Sequence, residues 1–184
     1  MLFGLIKSRH QKAINTQGEA IFCQALAQAK TMFPQLFSTN EPATQDPLRT
    51  QRFEAISLCM SVMLRQLPYR QNTQQARAVA QAAHDCMFLS FDRSLREGGV
   101  GDIGVSHKIK KYAQAFYGRL DRYTKALEAR RCDDLTQGLV KNMQLDKIEA
   151  ENVAQKIMHW ADRLQPEQSP PQQAKKTERR KHAS

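Results

Sequence analysis

The residues with the most chemical promise lie between Gly99 and Gly104. Gly99-Val100-Gly101-Asp102-Ile103-Gly104 fits the spacing G-x-G-x-x-G. A dinucleotide-binding turn of that spacing follows a β-strand, opens a helix, and has an acidic residue about twenty positions later. Here the residues leading in, through Ser94-Leu95-Arg96-Glu97, have a helical pattern. Without a strand, a phosphate cannot be held between sheet and helix. The alternative phosphate loop, G-x-x-x-x-G-K-[ST], does not occur. The glycines therefore predict a bend between two helices. Gly98 or Gly99 is expected to close the first helix in the left-handed conformation. Gly101 and Gly104 let the chain reverse, Asp102 bonds backbone amides of the turn, and Ser106 caps the helix that follows.

The other reactive side chains form no constellation. Cys23, Cys59, Cys86 and Cys132 contain no C-x-x-C pair, and no histidine stands at metal-finger spacing from them. The first three fall within apolar helical patterns and are expected as small core residues in a reducing compartment. His10, His84, His107, His159 and His182 are scattered, with no nucleophile beside them in sequence. Asp133-Asp134 and Glu149-Glu151 are explained by helix starts and solvated faces. No catalytic residue, metal or cofactor is expected.

The elements that must position the bend are helices. Ile14, Ile21, Phe22, Ala25, Ala29, Met32 and Phe33 share one face of a first helix, which Pro34 ends. Pro34 to Arg49 holds three prolines and is expected as a connecting loop. The run RFEAISLCMSVMLRQL is apolar almost all round, the pattern of a buried central helix. Thr73 is expected to cap the next helix, in which Ala76, Val79, Ala80, Ala83, Cys86 and Met87 share a face. Phe88, Phe91 and Leu95 widen that surface, so this helix is also expected at the centre. Beyond the bend, Val105, Ile109, Tyr112, Ala113, Phe116, Leu120, Tyr123 and Leu127 give the cleanest amphipathic pattern of the chain. Two shorter helices follow, one with Leu135, Leu139, Val140 and Met143, the other starting at a capping box of Asp146 and Glu149. The expected fold is all-α, a compact bundle of about six helices with a disordered basic C-terminal tail. Its divisions are an N-terminal arm over 1–10, a helical domain over 11–164, and the tail over 165–184.

The chain of 184 residues is 41% hydrophobic and 25% charged, with a formal net charge of +10. That excess favours an anionic partner: nucleic acid, a membrane surface or an acidic protein. The segment MLFGLI, followed by basic residues, is not arranged as a secretory signal, although MLFGLIKSR could rest on a membrane surface. The longest apolar run, Ala55 to Leu64, is about half the roughly twenty residues a spanning helix needs. The expected location is cytoplasmic, or peripheral at the inner face of the inner membrane.

The run FDRSLREGGVGDIGVSHKIKKYAQAFYGRLDRYTKAL carries more information than its glycine spacing. Asp92-Arg93-Ser94-Leu95-Arg96-Glu97, Gly99-Val100-Gly101-Asp102, Lys110-Lys111 and Ala115-Phe116-Tyr117-Gly118-Arg119 resemble the signature of the ubiquinol–cytochrome c chaperone family, assembly factors of the respiratory cytochrome bc1 complex. The order of helices from about Ile14 to Leu139 is also similar. Gly98 departs from the family pattern, in which a larger apolar residue stands there. Without a targeting extension, the chain is most similar to bacterial members. The resemblance implies a chaperone of newly made cytochrome b. It further implies possible contacts with the ribosome near its exit site or with a small co-chaperone, and no small-molecule substrate.

Two surfaces are candidates for partner binding. One is the bend, with Asp92, Arg93, Arg96, Gly99, Gly101 and Asp102, completed by Tyr117 and Arg119. The other is a basic flank of the following helix, where Lys108, Lys111, Arg119 and Arg122 recur at spacings of three, eight and three, with Lys110 beside them. An apolar client groove bordered by that flank is expected from function alone. The alternatives are a basic helical RNA- or DNA-binding module and a small helical enzyme.

Overall fold

The computed structural model describes residues 2–38, 46–67 and 73–164. Seven helices occupy them: α1 (Leu2–Met32), α2 (Pro34–Phe37), α3 (Asp46–Arg65), α4 (Thr73–Glu97), α5 (Asp102–Glu128), α6 (Cys132–Met143) and α7 (Lys147–Leu164). The all-α expectation is met. The residues expected as an arm continue into the first helix, which starts at Leu2. The expected loop after Phe33 contains the single turn of α2, and α3 already begins at Asp46. The tail expected over 165–184 lies outside the described residues.

The centre of the bundle is α3. Every residue from Phe53 to Met63 is buried, and α1, α2, α5, α6 and α7 all pack against it. A helix surrounded in this way needs apolar side chains around its whole circumference, which is the pattern the sequence carries. The second helix expected at the centre, α4, is peripheral instead and packs on α1 and α5. Ala76, Val79, Ala83 and Met87 form its buried stripe, while Leu89 is 71% exposed on the opposite side. Alanine-rich faces permit close helix approach on one side without requiring cover on the other.

Two of the three cysteines expected in the core are not there. Cys59 is fully buried in α3, but Cys23 is exposed and Cys86 only partly covered. A cysteine at an apolar register position on a peripheral helix can fall at the rim of the contact. All four are free thiols.

One charged residue stands in the middle of the α3 run. Glu54 is 1% exposed. A carboxylate so buried must be paired and hydrogen-bonded. Its partner is Arg119 of α5, whose Nη2 donates to Glu54 Oε1 at 2.6 Å and whose Nε donates to Oε2 at 2.9 Å. Arg119 Nη2 also approaches Asn142 Oδ1 of α6 at 3.5 Å, and Asn142 Nδ2 donates to the buried Tyr123 hydroxyl at 3.1 Å. One polar network thus ties α3, α5 and α6 together within the interior. Burial pushes the Glu54 carboxyl above its ordinary value of 4.5, against the opposing pull of the Arg119 hydrogen bonds and charge. A raised folded-state pKa means that the folded chain holds this proton more tightly than the unfolded one. The stability linked to Glu54 is therefore fullest below pH 4.5 and declines as pH rises through the folded value.

Removing one partner of such a pair leaves the other buried and uncompensated. Arg119→Met should lower unfolding free energy by about 3–5 kcal/mol in urea titrations. The double variant Glu54→Leu/Arg119→Met should recover most of that loss, because apolar replacement of both partners is often near neutral. A double variant no more stable than the single one would show that the loss does not come from leaving Glu54 uncompensated, and that the pair itself stabilises the fold beyond apolar packing.

Candidate functional site

The bend predicted from the glycines is a helix stop followed at once by a helix start. Gly99 has φ +79°, a conformation that side-chain-bearing residues rarely adopt. The Gly99 N–H donates to the Arg96 carbonyl at 2.9 Å and the Val100 N–H to the Leu95 carbonyl at 3.0 Å. These two bonds are the Schellman closure, which satisfies the last carbonyls of α4. α5 then starts directly: Gly101 is its N-cap and Asp102 its first residue. The expectation that Ser106 caps α5 is therefore corrected, since Ser106 lies a turn inside the helix, and Gly104 lies within its first turn. Gly101 has an ordinary φ of −67°.

Side chains lock this elbow. Arg96 Nε donates to Asp92 Oδ2 at 2.7 Å, and Arg96 Nη1 donates to Asp102 Oδ1. One guanidinium thus bridges the last turns of α4 and the first residue of α5. Arg93 Nε pairs with Glu97 at 2.8 Å. Asp102 was expected to bond turn amides, but its carboxylate faces Arg96 instead. The elbow carries three carboxylates, Asp92, Glu97 and Asp102, against Arg93 and Arg96, so it has no cationic excess for an anion. From beneath, Arg49 Nη2 of α3 donates to the Gly98 carbonyl at 3.3 Å. A Cβ at Gly98 would collide with that guanidinium. Gly98 is thus the residue that lets Arg49 reach the bend.

Tyr117 and Arg119 do not complete the elbow. From Asp102 to Tyr117 the helix rises by about 22 Å at 1.5 Å per residue. Arg119 also leaves the basic flank, because its head group is engaged with Glu54 in the interior. Lys110, Lys111 and Arg122 are exposed, and Lys108 is partly covered. Lys111 and Arg122 are thus the exposed residues of that flank, with Lys108 partly covered, while Lys110 is exposed about 100° round the helix from Lys111.

Tyr117 belongs to a different neighbourhood. Its ring stacks on His84 at 5.5 Å, and its hydroxyl meets His84 Nε2 at 3.1 Å. An aromatic seam runs inward from it through Phe116, Phe88 and Phe91 to Tyr112 and Phe53. On its outer side Tyr117 is 53% exposed and borders an open groove of about 550 Å³ between the end of α3 and the second half of α5. Leu64, Leu120 and the Tyr117 ring supply its apolar floor. Arg65, Asp121, Lys125 and Glu128 line the remainder, with Lys125 Nζ and Asp121 paired at 2.8 Å. The groove is bordered by mixed charge, and Lys108 lies about 18 Å along the helix axis from Leu120. This differs from the expected groove with a basic border.

Glu54, Arg49 and His84 were not singled out from sequence. A signal existed for Glu54: a lone acid inside an all-round apolar helix requires a cationic partner. Nothing local marks the contact of Arg49 with Gly98, 49 residues away, or that of His84 with Tyr117, 33 residues away.

The two motif glycines should respond differently to the same change. Gly99→Ser should cost about 1–2 kcal/mol, because a side chain must then hold the left-handed conformation. Gly101→Ser should change stability by no more than about 0.5 kcal/mol, serine being a favourable N-cap. Chemical denaturation of both variants checks this. Equal losses would refute the helix-stop role of Gly99.

Comparison with known proteins adds independent information. The family model described as "Ubiquinol-cytochrome C chaperone" matches residues 46–164, from the start of α3 to the end of α7. The crystal structure of a Cbp3 homolog from Brucella abortus is similar to this chain, with a TM-score of 0.65 and 29% sequence identity over 92% of this chain and 91% of that one. No curated protein sequence matches. With the family model covering the central helix, the elbow and everything described beyond it, the chain belongs to the ubiquinol–cytochrome c chaperone family.

Proposed function

We propose that the chain is a non-enzymatic assembly chaperone that holds newly made cytochrome b during biogenesis of the cytochrome bc1 complex. The observation that carries this reading is the family match across residues 46–164, joined by the likeness to the Cbp3 homolog over nearly the whole chain. The role has a physical requirement. A membrane protein without its partners exposes apolar segments, and a holder must offer accessible apolar surface. The groove at Leu64, Tyr117 and Leu120 supports this use. It is open, its floor is apolar, and its paired rim charges can reorganise around a client. Tyr117 presents a flat amphipathic ring to any occupant. Among the described residues, no helix is long and apolar enough to cross a membrane.

The elbow serves this reading as a brace. Its bonds and ion pairs fix the angle between α4 and α5, and so the position of the aromatic seam beneath Tyr117. Lys108, Lys110, Lys111 and Arg122 supply attraction to phosphate groups, whether of ribosomal RNA at the exit site or of lipid headgroups.

Deletion of the gene should abolish or sharply reduce assembled bc1 complex, and the wild-type chain should restore it. Tyr117→Asp should restore it poorly while its helical circular dichroism stays unchanged. Normal complex levels in the deletion strain would overturn the proposal. The triple variant Lys110→Glu/Lys111→Glu/Arg122→Glu should lose co-sedimentation with ribosomes or anionic vesicles at low salt. Retention of both associations would remove the basic flank from the mechanism.

A further inference from the structure

One polar side chain just past the end of α3 is left unanswered by its surroundings. Gln66 is 4% exposed, and among the described residues neither its carboxamide oxygen nor its nitrogen has a hydrogen-bond partner. A carboxamide offers two N–H donors and a carbonyl acceptor. Buried groups of this kind are nearly always paired, because an unpaired one keeps the full cost of its lost hydration. Gln66 lines a concavity of about 200 Å³ between α1, the end of α3 and Leu164, the last residue of α7. Met63 and Leu67 are buried at its floor and Ile21 is half-buried beside them. None of the described residues lining it is charged. The glutamine thus faces a space suited to a neutral hydrogen-bonding group on an apolar body, and unsuited to an ion.

Extended backbone is the natural complement of such an amide. A residue in a strand turns its own N–H and C=O to the same side, as in the paired bonds of an antiparallel ladder, and a carboxamide can answer both. The rim of the pocket supplies a candidate. From Leu164 the chain continues as Gln165-Pro166-Glu167-Gln168, in the stretch outside the described residues. Consecutive Cα atoms are 3.8 Å apart, so Pro166 stands no more than about 7 Å from the rim residue. A segment tethered this closely occupies the pocket at a high effective concentration. Pro166 offers a compact apolar ring and no N–H of its own to satisfy. A cavity of about 150 Å³ admits benzene, so this one has room for a proline ring and one peptide group.

We propose that this pocket seats the chain's own segment after Leu164, with the Pro166 ring on the apolar floor, the Glu167 N–H and C=O paired with Gln66, and the Glu167 carboxylate turned to solvent. The same end of α3 gives Leu64 and Arg65 to the groove at Tyr117. A segment rooted here therefore leaves the body of the protein beside that groove. The cluster of Lys175, Lys176, Arg179, Arg180 and Lys181 begins about 30 Å of extended chain beyond Pro166. The inference does not depend on the identity of the client.

The test uses the full chain, with amide hydrogen exchange read residue by residue by NMR. The Glu167 amide should exchange at least about tenfold more slowly than the amides of 175–184, once intrinsic rates are divided out. Pro166→Asp, which places a charge against an uncharged floor, should bring Glu167 to the rate of that distal stretch. Gln66→Met, which keeps the volume and removes the carboxamide, should do the same. The two changes should also be coupled: Pro166→Asp should lower the urea midpoint of the unaltered chain and leave that of Gln66→Met unchanged. A Gln66 that matters only for local packing would give independent effects, which overturn the proposal. If Gln66→Met does not fold, Pro166→Asp, outside the helices, decides alone. The proposal is equally overturned by a Glu167 amide as fast as the distal ones in the unaltered chain, by protection that survives Pro166→Asp, or by protection that survives in a folded Gln66→Met.

Discussion

The buried pair between Glu54 and Arg119 is the constraint on which the rest of this molecule depends. α3 is apolar on every side and could pack on its neighbours in many rotations, since one apolar face resembles another. A single carboxylate at position 54 removes that freedom. It must meet a cation, and the cation that reaches it stands in the second half of α5. Asn142 and Tyr123 extend the constraint to α6. Burying an ion pair gains little net stability over apolar packing. Its contribution here is the rotational and axial register of α3 against α5 and α6, and that register places Leu64 opposite Tyr117 and Leu120.

From this register the two ends of α5 acquire different tasks. At its start, the Schellman closure, the Arg96 bridge and the Arg49 prop hold the elbow rigid. Further along, the helix turns Tyr117 and Leu120 toward an open groove. The family signature spans both regions, and its residues divide between bracing and presenting. Arg119 lies next to the presenting residues in sequence yet braces the interior. Lys110 and Lys111 lie nearer the elbow yet face solvent.

Much of this was legible in the sequence, and the limits follow from what periodicity reports. A repeat of three and four residues reveals that a helix has an apolar face, which is why α3, α5, α6 and α7 were all expected, although α3 and α5 begin earlier than the pattern indicated. It does not reveal what covers that face, which is why α4 was expected at the centre and Cys23 in the core. The glycine run was readable as a helix stop because positive φ is a local property. Its ion pairs were readable only in part: Asp92 and Arg96 are a helical turn apart, whereas Arg96 and Asp102 meet only once the bend is made. Arg119 and Arg122 share a flank within about 60° at 100° per residue, yet one points inward and the other to solvent. That difference is decided by Glu54, 65 residues away, and no local pattern encodes it.

The central claim is that the register set by Glu54 and Arg119 creates a client groove on the α3–α5 face. Site-specific photocrosslinking tests it most directly. A photoreactive residue in place of Thr124, on the groove wall, and one in place of Glu151, on the exposed face of α7, would be compared during synthesis of cytochrome b. The account predicts an adduct with cytochrome b from position 124 and none from position 151. Adducts from position 151 alone, or from neither position while the chain still supports bc1 assembly, would contradict it.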